Sequence, residues 1–79
     1  MSAVILSFTP SVRCQRAAGA FAAVNIAARR MGYAEHLAYR AARLARNEVL
    51  EGKKSAARAV ADMKADLSLA ARDDGPAAA

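Results

Sequence analysis

The chain has 79 residues, a formal net charge of +5 and one cysteine, Cys14. This length corresponds to a single domain, and a domain of this size buries only about 60% of the surface that its unfolded chain exposes. One cysteine excludes an intrachain disulfide and a cysteine-based metal site within one chain, and it suits a cytoplasmic protein.

The hydrophobic residues make up 56% of the chain, are mostly alanine and include no tryptophan. Alanine favours helices but buries little surface per residue. The sequence therefore predicts helices that need a partner surface, and we expect a homodimer or a subunit of a larger complex. The apolar run Ala17–Ala28 is shorter than the roughly 17–25 residues of a membrane helix, so no transmembrane segment is expected.

The basic residues are unevenly distributed. Residues 1–34 contain Arg13, Arg16, Arg29 and Arg30 but no acidic residue. A basic half of this kind favours an acidic partner, namely nucleic acid, an anionic membrane surface or an acidic protein. A soluble domain with an arginine-rich surface is the alternative interpretation.

Residues 1–9 are interpreted as an N-terminal arm, in which Ala3–Phe8 forms a short strand or an apolar extension. Thr9 and Pro10 have the pattern of an N-cap followed by a first helical residue, so a first helix is predicted from Pro10 to Met31. Its predicted apolar face, on which the cysteine serves as small packing material, consists of Cys14, Ala17, Ala20, Phe21, Val24, Ala28 and Met31.

A second patch on the first helix lies off this apolar face. It is formed by Gly19, Ala22, Ala23 and Ile26. Its small residues allow another helix to approach closely, and Ile26 favours its interpretation as a protein interface. The alternative is an alanine-rich face exposed to solvent.

Gly32 is predicted to end the first helix as a left-handed C-terminal glycine, with Tyr33 packing back on the preceding turn. A second helix is predicted from Ala34 to Glu51, and Gly52 ends it in the same way. Its predicted buried face consists of Ala34, Leu37, Ala38, Ala41, Leu44, Ala45 and Val49. Basic, aromatic and polar residues cluster on its opposite side: His36, Tyr39, Arg40, Arg43, Arg46 and Asn47.

After a basic turn at Lys53 and Lys54, Ser55 is the predicted N-cap of a third helix. Arg58 and Asp62 are four residues apart on this helix, a spacing that favours a weak ion pair. The predicted apolar face consists of Ala56, Ala59, Val60, Met63, Leu67 and Ala70.

Together these elements predict an all-α fold, with a three-helix domain over residues 10–72 and a helical hairpin around Gly32. Residues 73–79 begin with Asp-Asp-Gly-Pro, which stops a helix, and are predicted to be a disordered tail.

Residues suited to catalysis are few. His36 is the only histidine, and a single histidine without a placed partner is weak support for acid–base chemistry. Asp62 and Asp66 lie one helical turn apart and are interpreted as solvent-exposed carboxylates. The chain has no phosphate-binding glycine loop and no nucleophile elbow. We therefore expect a non-enzymatic protein with no cofactor and no metal.

Ala28 lies four positions before Gly32, and Leu37 and Ala38 occupy the inner positions of the next helix. This arrangement, within residues 26–46, resembles the helix-turn-helix of bacterial DNA-binding regulators. The resemblance implies a groove-facing second helix, with flanking cations on the phosphates. The predicted residues for binding DNA or an acidic partner are Arg29, Arg30, His36, Tyr39, Arg40, Arg43, Arg46, Lys53 and Lys54. The order of short strand, helix, glycine turn and helix also resembles that of the dimeric ribbon-helix-helix repressors. This second resemblance ranks below the helix-turn-helix.

The favoured function is a small cytoplasmic DNA-binding regulator of bacterial or phage origin. The alternative is a protein–protein interaction module without nucleic acid, either a small subunit of a larger assembly or an inhibitor encoded by a phage or mobile element. Replacing Arg40 and Arg43 with alanine would abolish DNA binding under the first hypothesis. Under the second, the loss would follow Ile26, Ala22 and the N-terminal arm.

Overall fold

The computed structural model describes residues 11–74, which form three helices joined by short turns. Helix α1 spans Val12–Arg30, helix α2 spans Glu35–Leu50 and helix α3 spans Ala56–Asp74. The predicted all-α class is confirmed, and this part of the chain contains no strand. The predicted arm of residues 1–9 lies outside the described residues, as do residues 75–79 of the predicted tail, whereas Asp73 and Asp74 of that tail belong to helix α3.

Helix α1 begins at Val12 and is capped by Ser11. The backbone of Ser11 is extended (φ −65°, ψ 157°), and its hydroxyl accepts a hydrogen bond from the Cys14 N–H at 3.1 Å. The prediction that Thr9 caps this helix at Pro10 is therefore wrong. A serine hydroxyl satisfies one of the unpaired N–H groups of the first turn, and this contact fixes the start of the helix.

The turn between α1 and α2 depends on the left-handed backbone of Gly32, where φ is 99°. The Tyr33 N–H donates to the Ala28 carbonyl and the Gly32 N–H donates to the Arg29 carbonyl, both at 3.1 Å. This pair of bonds forms a Schellman motif, so the predicted glycine end of α1 is confirmed. The Tyr33 hydroxyl donates to the Leu67 carbonyl at 2.6 Å. This side chain therefore contacts α3, whereas the prediction placed it against the preceding turn of α1.

The α1–α2 pair is an antiparallel hairpin. A Cβ placed on Gly52, after the end of α2, would lie 3.8 Å from Nη1 of Arg13 in the first turn of α1. The core between the helices is made almost entirely of alanine. Its fully or nearly fully buried members are Ala17, Ala20, Val24, Ala28, Ala38, Ala41, Ala42, Ala45, Val49 and Ala59. These small side chains allow the helix backbones to approach closely.

Helix α2 is rotated relative to the prediction. Leu37, Leu44 and Ala34 are exposed, so their assignment to the buried face is wrong, whereas Ala42 is fully buried. The contact with α1 is centred on Ala42 and its alanine neighbours because a leucine there would hold the two backbones apart. The leucines consequently lie on the outer side of the helix.

On helix α1 the predicted apolar face is confirmed at its four central positions, Ala17, Ala20, Val24 and Ala28. Phe21 and Met31 are half-buried. Cys14 is exposed, so the prediction that it packs in the core is wrong. Cys14 lies seven residues before Phe21 and therefore on the same side of the helix, which is the edge of the core rather than its centre.

Helix α3 starts as predicted, with the Ser55 hydroxyl accepting a hydrogen bond from the Arg58 N–H at 3.2 Å. Its predicted apolar face is buried or half-buried from Ala56 to Leu67, but Ala70 is exposed and Ala71 is half-buried in its place. The Ser68 hydroxyl lies 3.9 Å from the sulfur of Met31. The last turns of α3 therefore face the end of α1, which turns Ala70 outwards.

Candidate functional site

Among the described residues, the arginines of α1 and α2 form no ion pair. The four ion pairs of the described residues connect Lys53 with Glu51, Lys54 with Glu48 and Asp62, and Arg58 with Asp62. None of them involves the seven arginines of the first two helices, which are Arg13, Arg16, Arg29, Arg30, Arg40, Arg43 and Arg46. Glu48, Glu51 and Asp62 are thus paired with cations around the α2–α3 turn, whereas six of the seven arginines of α1 and α2 are exposed and Arg46 is half-buried.

Two of the predicted binding residues pack against one aromatic ring of α1. The ring centroids of Phe21 and Tyr39 lie 5.4 Å apart at 77°, an edge-to-face contact. The guanidinium carbon of Arg46 lies 5.3 Å from the Phe21 centroid, within cation–π range. The Nε of Arg46 is buried and has no hydrogen-bond partner among the described residues. Phe21 therefore anchors both side chains at the α1–α2 surface.

Further cations extend this surface on both helices. Arg43 lies four residues after Tyr39, and His36 lies three residues before it, so both occupy the same side of α2. Arg29 lies in the last turn of α1, eight residues after Phe21 and about 80° further round the helix axis. All three side chains are exposed. We call this surface the arginine face, and its members are Phe21, Arg29, His36, Tyr39, Arg43 and Arg46.

The remaining predicted binding residues lie elsewhere. Arg40 is exposed beyond the edge of the arginine face, on the outermost side of α2. Arg30 lies seven residues after Ala23 and therefore on the opposite side of α1 from Phe21. Lys53 and Lys54 lie in the α2–α3 turn at the far end of the hairpin from Gly32.

The two lysines of the α2–α3 turn are held by carboxylates. Lys53 Nζ lies 3.2 Å from Glu51, and Lys54 Nζ lies 3.0 Å from Asp62 and 3.3 Å from Glu48. The contact with Asp62, followed by that with Glu48, raises the pKa of Lys54, and the hydrogen bond from Lys54 holds the pKa of Asp62 below its usual value. The predicted Arg58–Asp62 pair is present at 3.3 Å. Lys54 is therefore part of an internal network rather than of the arginine face.

The small-residue patch of α1 is exposed, and Gly19 lies at the edge of a shallow groove between α1 and α3. Gly19, Ala22, Ala23 and Ile26 are all exposed, and a Cβ on Gly19 would meet no atom within 4 Å. The patch is therefore accessible, and its role as a protein interface stays a prediction.

The structure also assembles features that the sequence analysis did not single out. The sequence predicts Phe21 only as a core residue, whereas in the structure it contacts both Tyr39 and Arg46 of the arginine face. A half-buried aromatic residue carries no sequence signal for that role. A shallow groove of about 690 Å³ between α1 and α3 has Arg16 and Lys64 among its lining residues. Within residues 11–74, no group of three or more His, Cys, Asp or Glu side chains is placed to hold a metal ion.

Comparison with protein-family models, with curated proteins and with solved structures gives no match. Among the described helices, none is long and apolar enough to cross a membrane. The helix-turn-helix resemblance accordingly stays a prediction, and the local chemistry of the arginine face provides the basis for a functional proposal.

Proposed function

We propose that the protein is a non-enzymatic nucleic-acid-binding protein whose arginine face contacts duplex DNA. The observation that supports this proposal is that Arg43 and Arg46 of α2 and Arg29 at the end of α1 lie outside every ion pair of the described residues. Cations that are not neutralised internally attract an extended polyanion and release its counterions on binding. Its assignment as a bacterial or phage regulator in the cytoplasm stays a prediction.

The chemistry of these side chains also supports phosphate and base contacts. Arg43 is exposed and free to make bidentate contacts with a phosphate or with a guanine edge. Arg46 is held in place by Phe21, so less side-chain entropy is lost when it binds. Tyr39 adds a hydroxyl donor beside them.

The proposal rests on charge rather than on the helix-turn-helix resemblance. Helices of that motif cross at roughly 90–120°. Here α1 and α2 stay in contact from the Gly32 turn to Arg13 and Gly52 at the other end. DNA would therefore contact the side of a hairpin, with α2 and the end of α1 both contributing cations.

The test is a fluorescence titration of labelled duplex DNA at two salt concentrations. We expect binding that weakens steeply with salt, and a loss of roughly tenfold or more in affinity for the double variant Arg29→Ala/Arg43→Ala. The matched control is Arg16→Ala/Arg72→Ala, which removes the same charge from exposed positions outside the arginine face. Equal losses in the two variants would mean that binding depends on the overall charge of the protein and not on the arginine face. No binding at low salt would reject the proposal.

A second candidate function, a protein–protein interaction module, is favoured by a different observation. The core is built from alanine and valine, whereas Ile26, Leu44 and Leu69 are exposed. Large apolar side chains at the surface of a small domain are typical of interfaces. An unchanged partner affinity in the arginine variants, with a loss on substitution of these apolar residues, would select this function instead.

A further inference from the structure

The shallow groove between α1 and α3, about 690 Å³ in volume, is lined mainly by small apolar residues. These are Gly19 and Ala20 of α1 and Ala56, Ala57, Val60 and Ala61 of α3. Arg16 and Lys64 complete the described lining, and both are exposed. Phe21, which anchors the arginine face, lies five residues after Arg16 and about 140° further round the helix axis. The groove and the arginine face therefore lie on different sides of α1.

The two cations lie at opposite ends of the groove and on opposite flanks. Helices α1 and α3 run in the same direction, since Arg16 and Ala56 line one cleft near the starts of both helices. Met31 and Ser68 are in contact towards the other end. Arg16 is therefore nearly level with Ala56, and Lys64 lies eight residues, or about 12 Å, further along α3.

The charge that lines the groove is positive. Neither Arg16 nor Lys64 is in an ion pair of the described residues, and none of the described lining residues is acidic. Asp62 and Asp66 line the cleft between α2 and α3 instead. An apolar groove with an unpaired cation at each end is complementary to an apolar segment flanked by carboxylates. Pairing with the same groove of a second copy would set cations against cations.

Gly19, at the edge of the groove, has no role in the packing of the described residues. A Cβ at this position would meet no atom within 4 Å, and the backbone of Gly19 is not left-handed. Glycine in the interior of a helix destabilises it relative to alanine. Its advantage here is that the missing side chain leaves room for another backbone to approach α1 closely.

The occupant of this groove has to satisfy its own backbone hydrogen bonds. Both walls are helices, whose N–H and C=O groups are bonded within each helix and offer no ladder to an extended peptide. A helix satisfies its backbone internally and presents an apolar stripe with charged residues on either side. In the groove it would lie against α1 and α3 as a fourth helix of the bundle.

We infer that the groove between α1 and α3 binds an acidic amphipathic helix of a partner protein. The apolar stripe of that helix packs on the alanines of the groove, and its carboxylates pair with Arg16 and Lys64. The inference is independent of nucleic-acid binding, because the arginine face lies on another side of α1. It assigns the partner class by its charge and its secondary structure.

A synthetic helical peptide of about three heptads is the probe. It carries leucine and alanine along one stripe and glutamate on both flanks, and its control carries lysine in place of every glutamate. Titration of the isotope-labelled full chain is followed by the amide signals in nuclear magnetic resonance spectra. We expect the acidic peptide to bind roughly tenfold or more tightly than the lysine peptide and to shift the signals of Gly19, Ala20 and Ala61.

Reversing the two charges of the groove tests their role. Arg16→Glu/Lys64→Glu is expected to weaken binding of the acidic peptide roughly tenfold and to strengthen binding of the lysine peptide. The matched control Arg40→Glu/Arg72→Glu makes the same change of charge at exposed positions outside the groove. In about 0.15 M salt, where distant charges are screened, it changes the affinity by about twofold or less.

Filling the groove tests the contact independently of charge. Gly19→Leu extends a side chain into open space and is expected to abolish binding of the acidic peptide, whereas Ala18→Leu adds the same side chain on the outer side of α1 and preserves it. Circular dichroism checks that both variants remain helical. No binding of the acidic peptide, equal binding of the lysine peptide, or equal losses in groove and control variants overturns the inference. So does groove-dependent binding of phosphatidylglycerol vesicles without binding of the peptide, which assigns the groove to a lipid surface.

Discussion

The two sides of helix α2 use charge in opposite ways. On the arginine face, Arg46 lies against the Phe21 ring, and both Arg43 and Arg46 lie outside every ion pair of the described residues. On the side facing α3, Glu48 is paired with Lys54, which also binds Asp62. A guanidinium group stacks on an aromatic ring and binds phosphate bidentately, whereas an ammonium group acts as a compact point charge. The lysine is thus paired within the domain, whereas the two arginines are in no ion pair of the described residues.

The same helix also reverses the usual distribution of apolar side chains. Ala42 and Ala45 are fully buried against α1, whereas Leu37 and Leu44 are exposed. Close approach of α1 and α2 selects the smallest apolar residues for the contact, because their packing depends on size as well as on hydrophobicity. The leucines are consequently left on the solvent-exposed outer side of the helix.

The largest expected change in the free energy of unfolding comes from enlarging a residue on the buried side of α2. It is compared with shortening a residue on the outer side of the same helix. Ala42→Leu inserts three carbon atoms into the closest part of the α1–α2 contact and is expected to lower the free energy of unfolding by about 1–3 kcal/mol. Leu44→Ala removes the same atoms from an exposed position and is expected to change it by less than about 0.5 kcal/mol. The measurement is urea denaturation followed by circular dichroism at concentrations where the chain is monomeric.

The direction of this difference is what distinguishes the two sides of α2. Comparable losses in Ala42→Leu and Leu44→Ala would place Leu44 in the core of the isolated chain and contradict the observed rotation of the helix. A gain in stability for Ala42→Leu would show instead that the contact contains unfilled space.

Local signals made most of the fold predictable from sequence. The glycine end of α1 at Gly32, the serine cap at Ser55 and the Arg58–Asp62 pair are all confirmed. Each depends on residues within five positions of one another, so no tertiary information is needed. The start of α1 is not predictable in the same way, because Thr9 and Ser11 both belong to the residue types that cap helices.

Which residues of α2 are buried depends on tertiary packing, which the sequence alone does not predict. A helical wheel of α2 places Leu37 and Leu44 beside buried alanines and favours them for the core, because a hydrophobicity scale ranks leucine above alanine. The structure instead turns Ala42 inwards, since the neighbouring helix sets how much room each position has. The arginine face was predictable on α2, but its anchor on α1, Phe21, depends on how the two helices pair.

Removing the anchored arginine is expected to have a smaller effect. Arg46→Ala loses the contact with the Phe21 ring and the packing of its aliphatic stem, which lowers the free energy of unfolding by about 1 kcal/mol. Arg43→Ala removes the same charge from an exposed side chain without such a contact and stays within about 0.5 kcal/mol of wild type. Urea denaturation of both variants at neutral pH measures the difference. Equal values would mean that the Arg46–Phe21 contact contributes nothing to the fold.

The smallest expected effect concerns the paired side of α2 and depends on pH. The hydrogen bond from Lys54 lowers the pKa of Asp62, so the folded state favours the charged carboxylate. The contribution of this pair to stability is therefore present above the usual carboxyl pKa of 3.8 and is lost as the pH falls through the lowered value. Asp62→Asn removes it, so we expect a melting temperature slightly below wild type at neutral pH and a difference that disappears in acid.

The matched control for Asp62→Asn is Asp66→Asn, one turn further along α3. Asp66 lines the same cleft but is in no ion pair of the described residues, so its amide variant should melt close to wild type in the monomer at every pH. Thermal melts of both variants at neutral and acidic pH distinguish the pair from a general effect of charge. If Asp66→Asn shifted the melting temperature as much as Asp62→Asn, local net charge rather than the Lys54 contact would hold the α2–α3 turn, and the contrast between the two sides of α2 would lose its electrostatic basis.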